Sequence, residues 1–241
     1  MQLRKFLAPE LVVGDGALDL AGHYLRNLGA RRVLLVTDPG VRAAGWVERV
    51  QKVVEATGIP VCVFEGVTPN PKDTEVHAGA DVFRSRECNA LVAVGGGSPI
   101  DAAKGIALLV GNGGEVGDFE GVDEAREPGP PLVGIPTTAG TAADISQFAI
   151  ILATQRRVKF AIISRKVVPD VALIDSTTLS TAPPFLRACT GMDVLTHALE
   201  AIASNAASPL TDLHAQEGVR LVHAWLERVV AGMDDREAMD G

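Results

Sequence analysis

Short apolar runs alternate with longer amphipathic stretches through the first 175 residues of this 241-residue chain. The runs are rich in Val, Leu and Ile and carry almost no polar residue. That pattern is typical of strands buried on both faces of a sheet. The stretches between them have lengths typical of helices that connect parallel strands. The sequence therefore predicts a doubly wound α/β domain with a mostly parallel sheet.

The pattern places seven strands and five helices. The predicted strands are Arg32–Thr37, Val61–Phe64, Ala90–Val94, Leu132–Ile135, Phe148–Leu152, Lys159–Ile163 and Val171–Ile174. The predicted helices are Val41–Thr57, Lys72–Glu87, Ser98–Val110, Phe185–Ser204 and Pro209–Val230. We expect the stretch from Gly111 to Pro131 to be a surface loop, because it is polar and rich in glycine and proline.

The character of the chain changes near Pro183, from alternating strands and helices to helices alone. We therefore predict an α/β domain over residues 1–182 and a helical domain over residues 183–241. About 60 residues is at the low end of domain size. The stretch from Asp234 to Gly241 has helix-forming character without a convincing stop, so we expect the helical domain to be incomplete.

Composition excludes several classes of function. The net charge of −8 opposes binding to nucleic-acid phosphates, and an aromatic content of 4% argues against base-stacking platforms. No apolar run reaches the roughly 18 residues of a membrane span, and the N-terminus lacks the apolar core of a signal peptide. The three cysteines are scattered and indicate thiols in a reducing compartment. We expect a cytoplasmic protein.

The strongest local motif follows the strand Ala90–Val94 and reads Gly95-Gly96-Gly97-Ser98-Pro99-Ile100-Asp101. Glycines let a backbone approach a ligand closely, and a helix N-terminus attracts an anion such as a pyrophosphate. The alternative is a well-capped tight turn, with Ser98 as the cap, Pro99 in the first helical position and Asp101 in the third. The run is not the G-x-G-x-x-G fingerprint, because Ile100 occupies the last glycine position.

Two further segments follow predicted strands. Asp38 stands at a strand end, where an acid can hold ribose hydroxyls and repel a 2′-phosphate, which favours NAD over NADP. The alternative is a turn acid in Asp-Pro-Gly. The run from Pro136 to Thr141 has hydroxyls and small side chains that suit a loop pressed against a cofactor, although a Ser/Thr turn has the same composition.

Asp193 and His197 are four residues apart in a predicted helix and therefore share one face. A carboxylate and an imidazole so placed can give two ligands to one divalent metal, yet the same spacing also forms ion pairs. Gly191 indicates that the backbone there approaches something closely. His214 and His223 do not face one way on their helix, so we do not assign them as further ligands. These residues predict a partial metal site, with two protein ligands.

Taken together, these motifs resemble the iron-containing, or group III, alcohol dehydrogenases. The matching motifs occur in the family's order, and the resemblance runs from the N-terminus to the last residue. They are Gly95-Gly96-Gly97-Ser98-x-x-Asp101-x-x-Lys104, Pro136-Thr137-Thr138-Ala139-Gly140-Thr141, Gly191-Met192-Asp193-x-x-x-His197-x-x-Glu200, and Asn70 in Thr68-Pro69-Asn70-Pro71.

The resemblance implies a Rossmann-like, dehydroquinate-synthase-like NAD-binding domain, an all-helical domain, and a divalent metal. It implies adenosine contacts at Asp38 and Asn70 and metal ligands at Asp193 and His197. Pyrophosphate and ribose contacts are implied at Gly96, Gly97, Ser98 and Asp101, and further cofactor contacts at Thr137, Thr138, Thr141 and Lys159. The family's other two ligands are histidines in a later part of its sequence, so the chain is expected to be truncated within the helical domain.

One departure from the family pattern follows Thr141. The family usually has Gly-Ser-Glu there, whereas this chain has Ala142-Ala143-Asp144. The variant is similar to a subgroup named alcohol-dehydrogenase-like regulatory proteins. Packing near the nicotinamide is therefore expected to differ.

The resemblance implies an NAD-dependent, metal-dependent alcohol dehydrogenase that interconverts a primary alcohol and an aldehyde. Iron is the family's metal, while Asp plus His also suits zinc. Small alcohols and aldehydes are the expected substrates, without nucleic-acid or membrane partners, in a homo-oligomer. The alternative is an NAD-binding regulatory or sensory protein with little turnover. A third interpretation, a metal-dependent polyol dehydrogenase or cyclase of related fold, fits the run from Pro136 to Thr141 less well.

Overall fold

The computed structural model describes residues 7–232 and 235–240. The chain divides into two compact units. The first comprises the residues up to Pro136 together with Ala143–Asp175, and the second comprises Thr137–Ala142 together with the residues from Ser176 onward. The boundary predicted after residue 182 falls inside the second unit.

The first unit is built on a six-stranded sheet in which every strand pairing is parallel, as the apolar runs predict. The strands of the chain are β1 Glu10–Val13, β2 Val33–Val36, β3 Val61–Phe64, β4 Ala90–Gly95, β5 Gly121–Val122, β6 Leu132–Pro136, β7 Phe148–Ala153, β8 Val158–Ile163 and β9 Val171–Ile174. The large sheet has the order β1-β9-β6-β4-β2-β3, and a smaller sheet has the order β5-β8-β7. The fold-class prediction is confirmed.

Helices of the first unit pack against the sheet. The helices of the chain are α1 Ala21–Asn27, α2 Pro39–Ala43, α3 Trp46–Glu55, α4 Asp73–Ser85, α5 Gly97–Asn112, α6 Pro184–Ala203, α7 Pro209–Ala231 and α8 Arg236–Asp240. Strands β2 and β4 are buried along their whole length. Their side chains alternate between two apolar clusters, one containing Leu34 and Leu91 and the other Leu35 and Val92. Because both faces of these strands are covered, their sequences are continuously apolar.

Two segments differ from the prediction. The single helix predicted over Val41–Thr57 is two helices, α2 and α3, because the chain turns at Gly45, whose φ of 87° lies in the left-handed region. The stretch from Gly111 to Pro131 is not only a surface loop. It contains strand β5 and a 3-10 helix, Val116–Phe119, whose two end residues are buried in the core.

Strand β1 and helix α1 were not predicted. Strand β1 pairs with β9 at the edge of the sheet, where its residues are mostly exposed and lack a buried apolar run. Helix α1 is only seven residues long. It packs closely on α3, since a Cβ at Gly22 would lie 2.8 Å from the Val53 carbonyl oxygen. Short or exposed elements carry too few apolar positions to show a period.

In the second unit α6 and α7 pack side by side. Arg187 near the start of α6 is buried and donates hydrogen bonds of 2.9 Å to the carbonyl oxygens of Val229 and Gly232 at the end of α7. A buried guanidinium needs such acceptors, and the C-terminal carbonyls of a helix supply them. Of the predicted terminal helical stretch, Arg236–Asp240 forms α8, while Asp234 and Gly241 lie outside the described residues. Within the described ranges, no helix is both long and apolar enough to span a bilayer.

Candidate cofactor and metal site

The glycine turn joins β4 to α5. Gly95 has a φ of 150°, and a Cβ there would lie 2.6 Å from Pro99 Cγ, so the turn requires glycine at this position. The helix begins at Gly97, and its N-cap is Gly96, with no side-chain cap. The predicted capping arrangement of Ser98 and Asp101 is therefore wrong. Because no side chain caps this helix start, its first backbone amides are suited to bind an anion.

Ser98 is in the first turn of α5, and its hydroxyl accepts a hydrogen bond of 3.2 Å from the backbone N–H of Asn70. Asn70 has a φ of 58°, a left-handed conformation that asparagine tolerates better than most residues. The structure thus brings together two residues predicted to contact the cofactor, although they are 28 positions apart in the sequence.

Asp38 and the glycine turn both lie at the carboxyl ends of the parallel strands. Strands β2 and β4 are parallel neighbours, and the Thr37 hydroxyl at the end of β2 donates a hydrogen bond of 2.9 Å to the Val94 carbonyl oxygen. One Asp38 oxygen, Oδ1, accepts the Val41 N–H at 2.9 Å and so caps α2. The acid therefore has a structural role as a cap, and it stands where ligands bind in open parallel sheets.

The remaining predicted contacts of the first unit lie elsewhere. Lys159 is exposed on β8 in the smaller sheet, opposite Leu152. The Asp101 carboxylate turns toward β7: Oδ2 accepts the Ile150 N–H at 3.1 Å, and Oδ1 is buried without a hydrogen bond, 3.9 Å from Lys104 Nζ. Burial raises the pKa of Asp101 to about 6, and burial lowers the pKa of Lys104 to about 8.

In the second unit, Asp193 and His197 share one face of α6 as their spacing predicts. The distance from Asp193 Oδ2 to His197 Nε2 is 3.6 Å, and both side chains are about half exposed, at 40% and 55%. Glu200 Oε2 is 3.8 Å from the other ring nitrogen, Nδ1. The two facing donors fit two positions around a divalent ion.

The loop Thr137–Ala142 belongs to the same unit. Thr137 is buried, Thr138 is half-buried and Thr141 is exposed. A Cβ at Gly140 would lie 3.1 Å from Thr190 Cβ and 3.5 Å from Asp193 Oδ2, so the loop backbone runs close to the metal-ligand pair. The sequence motif did not predict this close approach of Gly140 to Asp193.

The set of ligands is small. Within residues 7–232 and 235–240, no three or more His, Cys, Asp or Glu side chains are grouped so that they could hold a metal ion. The donors at Asp193 and His197 therefore fit part of a coordination sphere, since catalytic metals usually have about three protein ligands.

Ala142 has a φ of 51°. This left-handed conformation is free of strain for glycine but not for alanine. The departure from the family's Gly-Ser-Glu pattern therefore falls on a position whose backbone favours glycine.

Comparison with known proteins gives a consistent picture. Residues 8–176 match the family model described as iron-containing alcohol dehydrogenase, and residues 187–240 match the model described as Fe-containing alcohol dehydrogenase family, C-terminal. The NAD-dependent methanol dehydrogenase of Bacillus methanolicus is 40% identical over 98% of this chain, which spans 62% of that protein. Alcohol dehydrogenase 4 of Schizosaccharomyces pombe is 42% identical over the whole chain, which spans 57% of that protein.

Solved structures agree. A 1,3-propanediol oxidoreductase superposes with a TM-score of 0.97 at 38% identity, and the superposition covers 99% of this chain and 63% of the oxidoreductase chain. The sulfoacetaldehyde reductase of Bifidobacterium kashiwanohense, solved in complex with NAD+, superposes with a TM-score of 0.92 at 28% identity, covering 100% of this chain and 62% of its own. The chain thus spans about three-fifths of the length of these relatives.

Proposed function

The chain belongs to the iron-containing alcohol dehydrogenase family, and on that premise we propose that the protein is an NAD-dependent, metal-dependent alcohol dehydrogenase that interconverts a primary alcohol and an aldehyde. The observation that carries the proposal is the edge of the parallel sheet. The carboxyl ends of β2 and β4 are neighbours there: Asp38 follows β2, and the uncapped start of α5 at Gly97 follows β4. The Ser98–Asn70 pair lies at that helix start. Open α/β sheets bind nucleotides at such an edge.

We assign the cofactor contacts by their chemistry. The first amides of α5, at Gly97 and Ser98, bind a pyrophosphate, and the Asp38 carboxylate binds ribose hydroxyls and disfavours a 2′-phosphate. Asn70 is a further proposed contact to the adenosine part, and Gly96 a further proposed contact to the pyrophosphate. We also keep as proposed contacts a set with less structural support: Asp101, Thr137, Thr138, Thr141 and Lys159.

Asp193 and His197 would hold the metal, with Fe2+ as the family's ion and Zn2+ as a chemically suitable one. Such an ion supplies Lewis acidity that lowers the pKa of an alcohol, while the nicotinamide accepts the hydride. The chain's own part is to orient these groups. The close approach of Gly140 to Asp193 places the loop beside the ligand pair.

The first test is cofactor binding by the 241-residue chain, measured by calorimetry with NAD. Gly97→Asp adds a charge that helices accept at their first turn but that repels a phosphate. Gly117→Asp is the control, because that glycine is exposed with open space around it. We expect NAD binding to weaken by about tenfold or more in Gly97→Asp alone. Equal affinities in the two variants would contradict the proposed site.

The second test is catalysis. Protein purified from the cells that carry the gene, in the form in which those cells make it, should form NADH from ethanol or 1,2-propanediol, and chelation of metal should abolish this activity. NADH formation that is indifferent to chelators would remove the metal from the proposal.

A second candidate is an NAD-binding regulatory protein with little turnover. The run Ala142-Ala143-Asp144 favours it. At its first position, alanine replaces the glycine of the family pattern although the backbone is left-handed and therefore strained for alanine. Tight NAD binding without NADH formation by the cell-derived protein would support this alternative.

We further propose that the protein works in a reducing cytoplasm as a homo-oligomer, with small alcohols or aldehydes as its partners. Cys62, Cys88 and Cys189 are free thiols, which suits a reducing compartment.

A further inference from the structure

Lys104 of α5 is fully buried, which is rare for lysine. Its ammonium group donates hydrogen bonds to the Ser146 carbonyl oxygen at 2.9 Å, the Ser146 hydroxyl at 3.2 Å and the Phe148 carbonyl oxygen at 2.6 Å. An ammonium group has three donors, so these contacts use its full capacity. The charge is therefore placed to fix one short piece of backbone.

That piece of backbone leads out of the loop Thr137–Ala142. The loop leaves the first unit after Pro136 and the chain returns to that unit at Ala143, so both of its stems belong to the α/β unit. We call residues 143–150 the downstream stem. It packs on β6, the upstream stem, because a Cβ at Gly134 would lie 3.4 Å from Asp144 Cβ.

Two carboxylates complete the arrangement. Asp101, one turn before Lys104 on α5, accepts the Ile150 N–H at 3.1 Å, and Asp144 is buried at 6% exposure. Burial raises the pKa of Asp144, and the charge of Lys104 opposes that rise. Helix α5 therefore holds the downstream stem by hydrogen bonds at Ser146, Phe148 and Ile150 and by the attraction between Lys104 and Asp144, while its first turn forms the proposed pyrophosphate site.

We propose that Lys104 is a positioning residue for the dinucleotide: it fixes the downstream stem of the Thr137–Ala142 loop and so determines how that loop meets the nicotinamide half of NAD. The inference rests on the proposed function. Lys104 itself does not contact the cofactor, since its three donors are bound to Ser146 and Phe148. Its effect should be confined to the part of the ligand that the loop binds.

The two halves of the ligand can be tested separately. ADP offers the adenosine and two phosphates, which need Asp38 and the start of α5, whereas NAD also offers the nicotinamide ribose. For Lys104→Met in the full chain, we expect the Kd for NAD to rise about tenfold and the Kd for ADP to stay within about twofold. Lys104→Arg keeps the charge and the hydrogen-bond donors in a larger side chain, so NAD affinity above that of Lys104→Met would report the contribution of the charge and donors. Calorimetry at a temperature where circular dichroism shows each variant folded measures both constants.

Leu108→Ala is the matched control. Leu108 is fully buried on the same helix, and truncation of its apolar side chain creates a cavity without removing a hydrogen bond to the stem. It should lower the unfolding temperature and leave both affinities unchanged. If Lys104→Met does not fold, Ser146→Ala keeps both carbonyl acceptors of Lys104 and removes the Ser146 hydroxyl together with its hydrogen bonds to Lys104 and to the Phe148 backbone. The Kd for NAD should then rise about threefold, with that for ADP unchanged.

The outcomes separate the two proposals. A wild-type chain that binds neither ligand overturns the proposed function. A wild type that binds both, with equal losses of NAD and ADP affinity in Lys104→Met, or with no loss of either in the folded variants, overturns the positioning role alone.

Discussion

Leu226 of α7 packs against the backbone of Gly191 in α6, so closely that a Cβ at position 191 would lie 2.2 Å from Leu226 Cδ1. The close approach that Gly191 indicates in the sequence is thus to a neighbouring helix. The two helices in turn fix the face that carries Asp193 and His197. Packing, rather than ligand contact, accounts for glycine at this position in the ligand motif.

This relationship predicts different changes in stability for two glycine-to-alanine substitutions in the helical unit. Gly218→Ala should stabilise the helical unit by about 1 kcal/mol, because alanine favours a helix and its Cβ would meet Ala198 Cβ at an ordinary 3.6 Å. Gly191→Ala should give no gain, because Leu226 must leave its rotamer at a cost of about 1 kcal/mol. Urea unfolding followed by Trp225 fluorescence, in a Trp46→Phe background, measures both. Equal gains would contradict the packing argument.

The larger sheet could be predicted because its central strands are buried on both faces. The run Val61–Phe64 is β3 to the residue. The prediction for β2 differs from the structure by one residue at each end, and that for β4 by one residue at its end. Edge position and shortness hid β1 and α1. The break at Gly45 was missed because a single glycine within a helical pattern is tolerated in many helices, and its left-handed φ cannot be read from the sequence.

The site shows the same contrast between local and long-range information. The shared face of Asp193 and His197 follows from helical spacing alone. The Asn70–Ser98 contact and the burial of Lys104 depend on how distant segments meet. Spacing within the glycine motif could not show that Lys104 turns into the core, because lysine is almost always exposed.

The left-handed backbone of Ala142 predicts a gain from glycine. Ala142→Gly should raise the free energy of unfolding by about 0.5–1 kcal/mol, because relief of strain exceeds the added entropy of the unfolded chain. Ala139→Gly, in the same loop but without a positive φ, should lower it slightly. Urea titration compares them. A loss of stability in both variants would show that Ala142 is not strained.

Asp38 predicts selectivity for NAD over NADP. A 2′-phosphate beside its carboxylate brings like charges together in a half-buried site. Asp38→Asn removes the charge and keeps an oxygen that can accept the Val41 N–H, so the cap of α2 survives. The ratio of the Kd for NADP to the Kd for NAD should fall by about tenfold in this variant, because about 1.4 kcal/mol of repulsion of the 2′-phosphate is lost. Glu55→Gln, an exposed acid on α3, should leave the ratio unchanged, and a wild type with comparable constants would oppose the assignment.

The buried Lys104 predicts a pH dependence of stability. Burial lowers its pKa to about 8 in the folded protein from 10.5 in the unfolded chain. Between these values the unfolded chain binds the proton more tightly, so the free energy of unfolding should rise with pH, by up to about 1.4 kcal/mol per pH unit. Below pH 8 the full cost of the buried charge remains. Urea unfolding from pH 7.5 to 9.5 should show this rise in wild type and in Lys52→Met, an exposed control, and a smaller one in Lys104→Met.

The Asp193–His197 pair predicts weak metal binding by the 241-residue chain. Two facing ligands 3.6 Å apart bind an ion less tightly than the three or more of a typical catalytic site, and both are half exposed to water. We expect little Fe2+ or Zn2+ to survive dialysis, and no substantial NADH formation from ethanol or 1,2-propanediol when either metal is added back. What binding remains should disappear in Asp193→Asn and in His197→Ala, and should persist in His223→Ala, an exposed histidine on α7. Metal analysis beside the NADH assay decides the matter. Stoichiometric metal with steady turnover would show this prediction wrong, and retention of that metal in His197→Ala would place the site elsewhere in the protein.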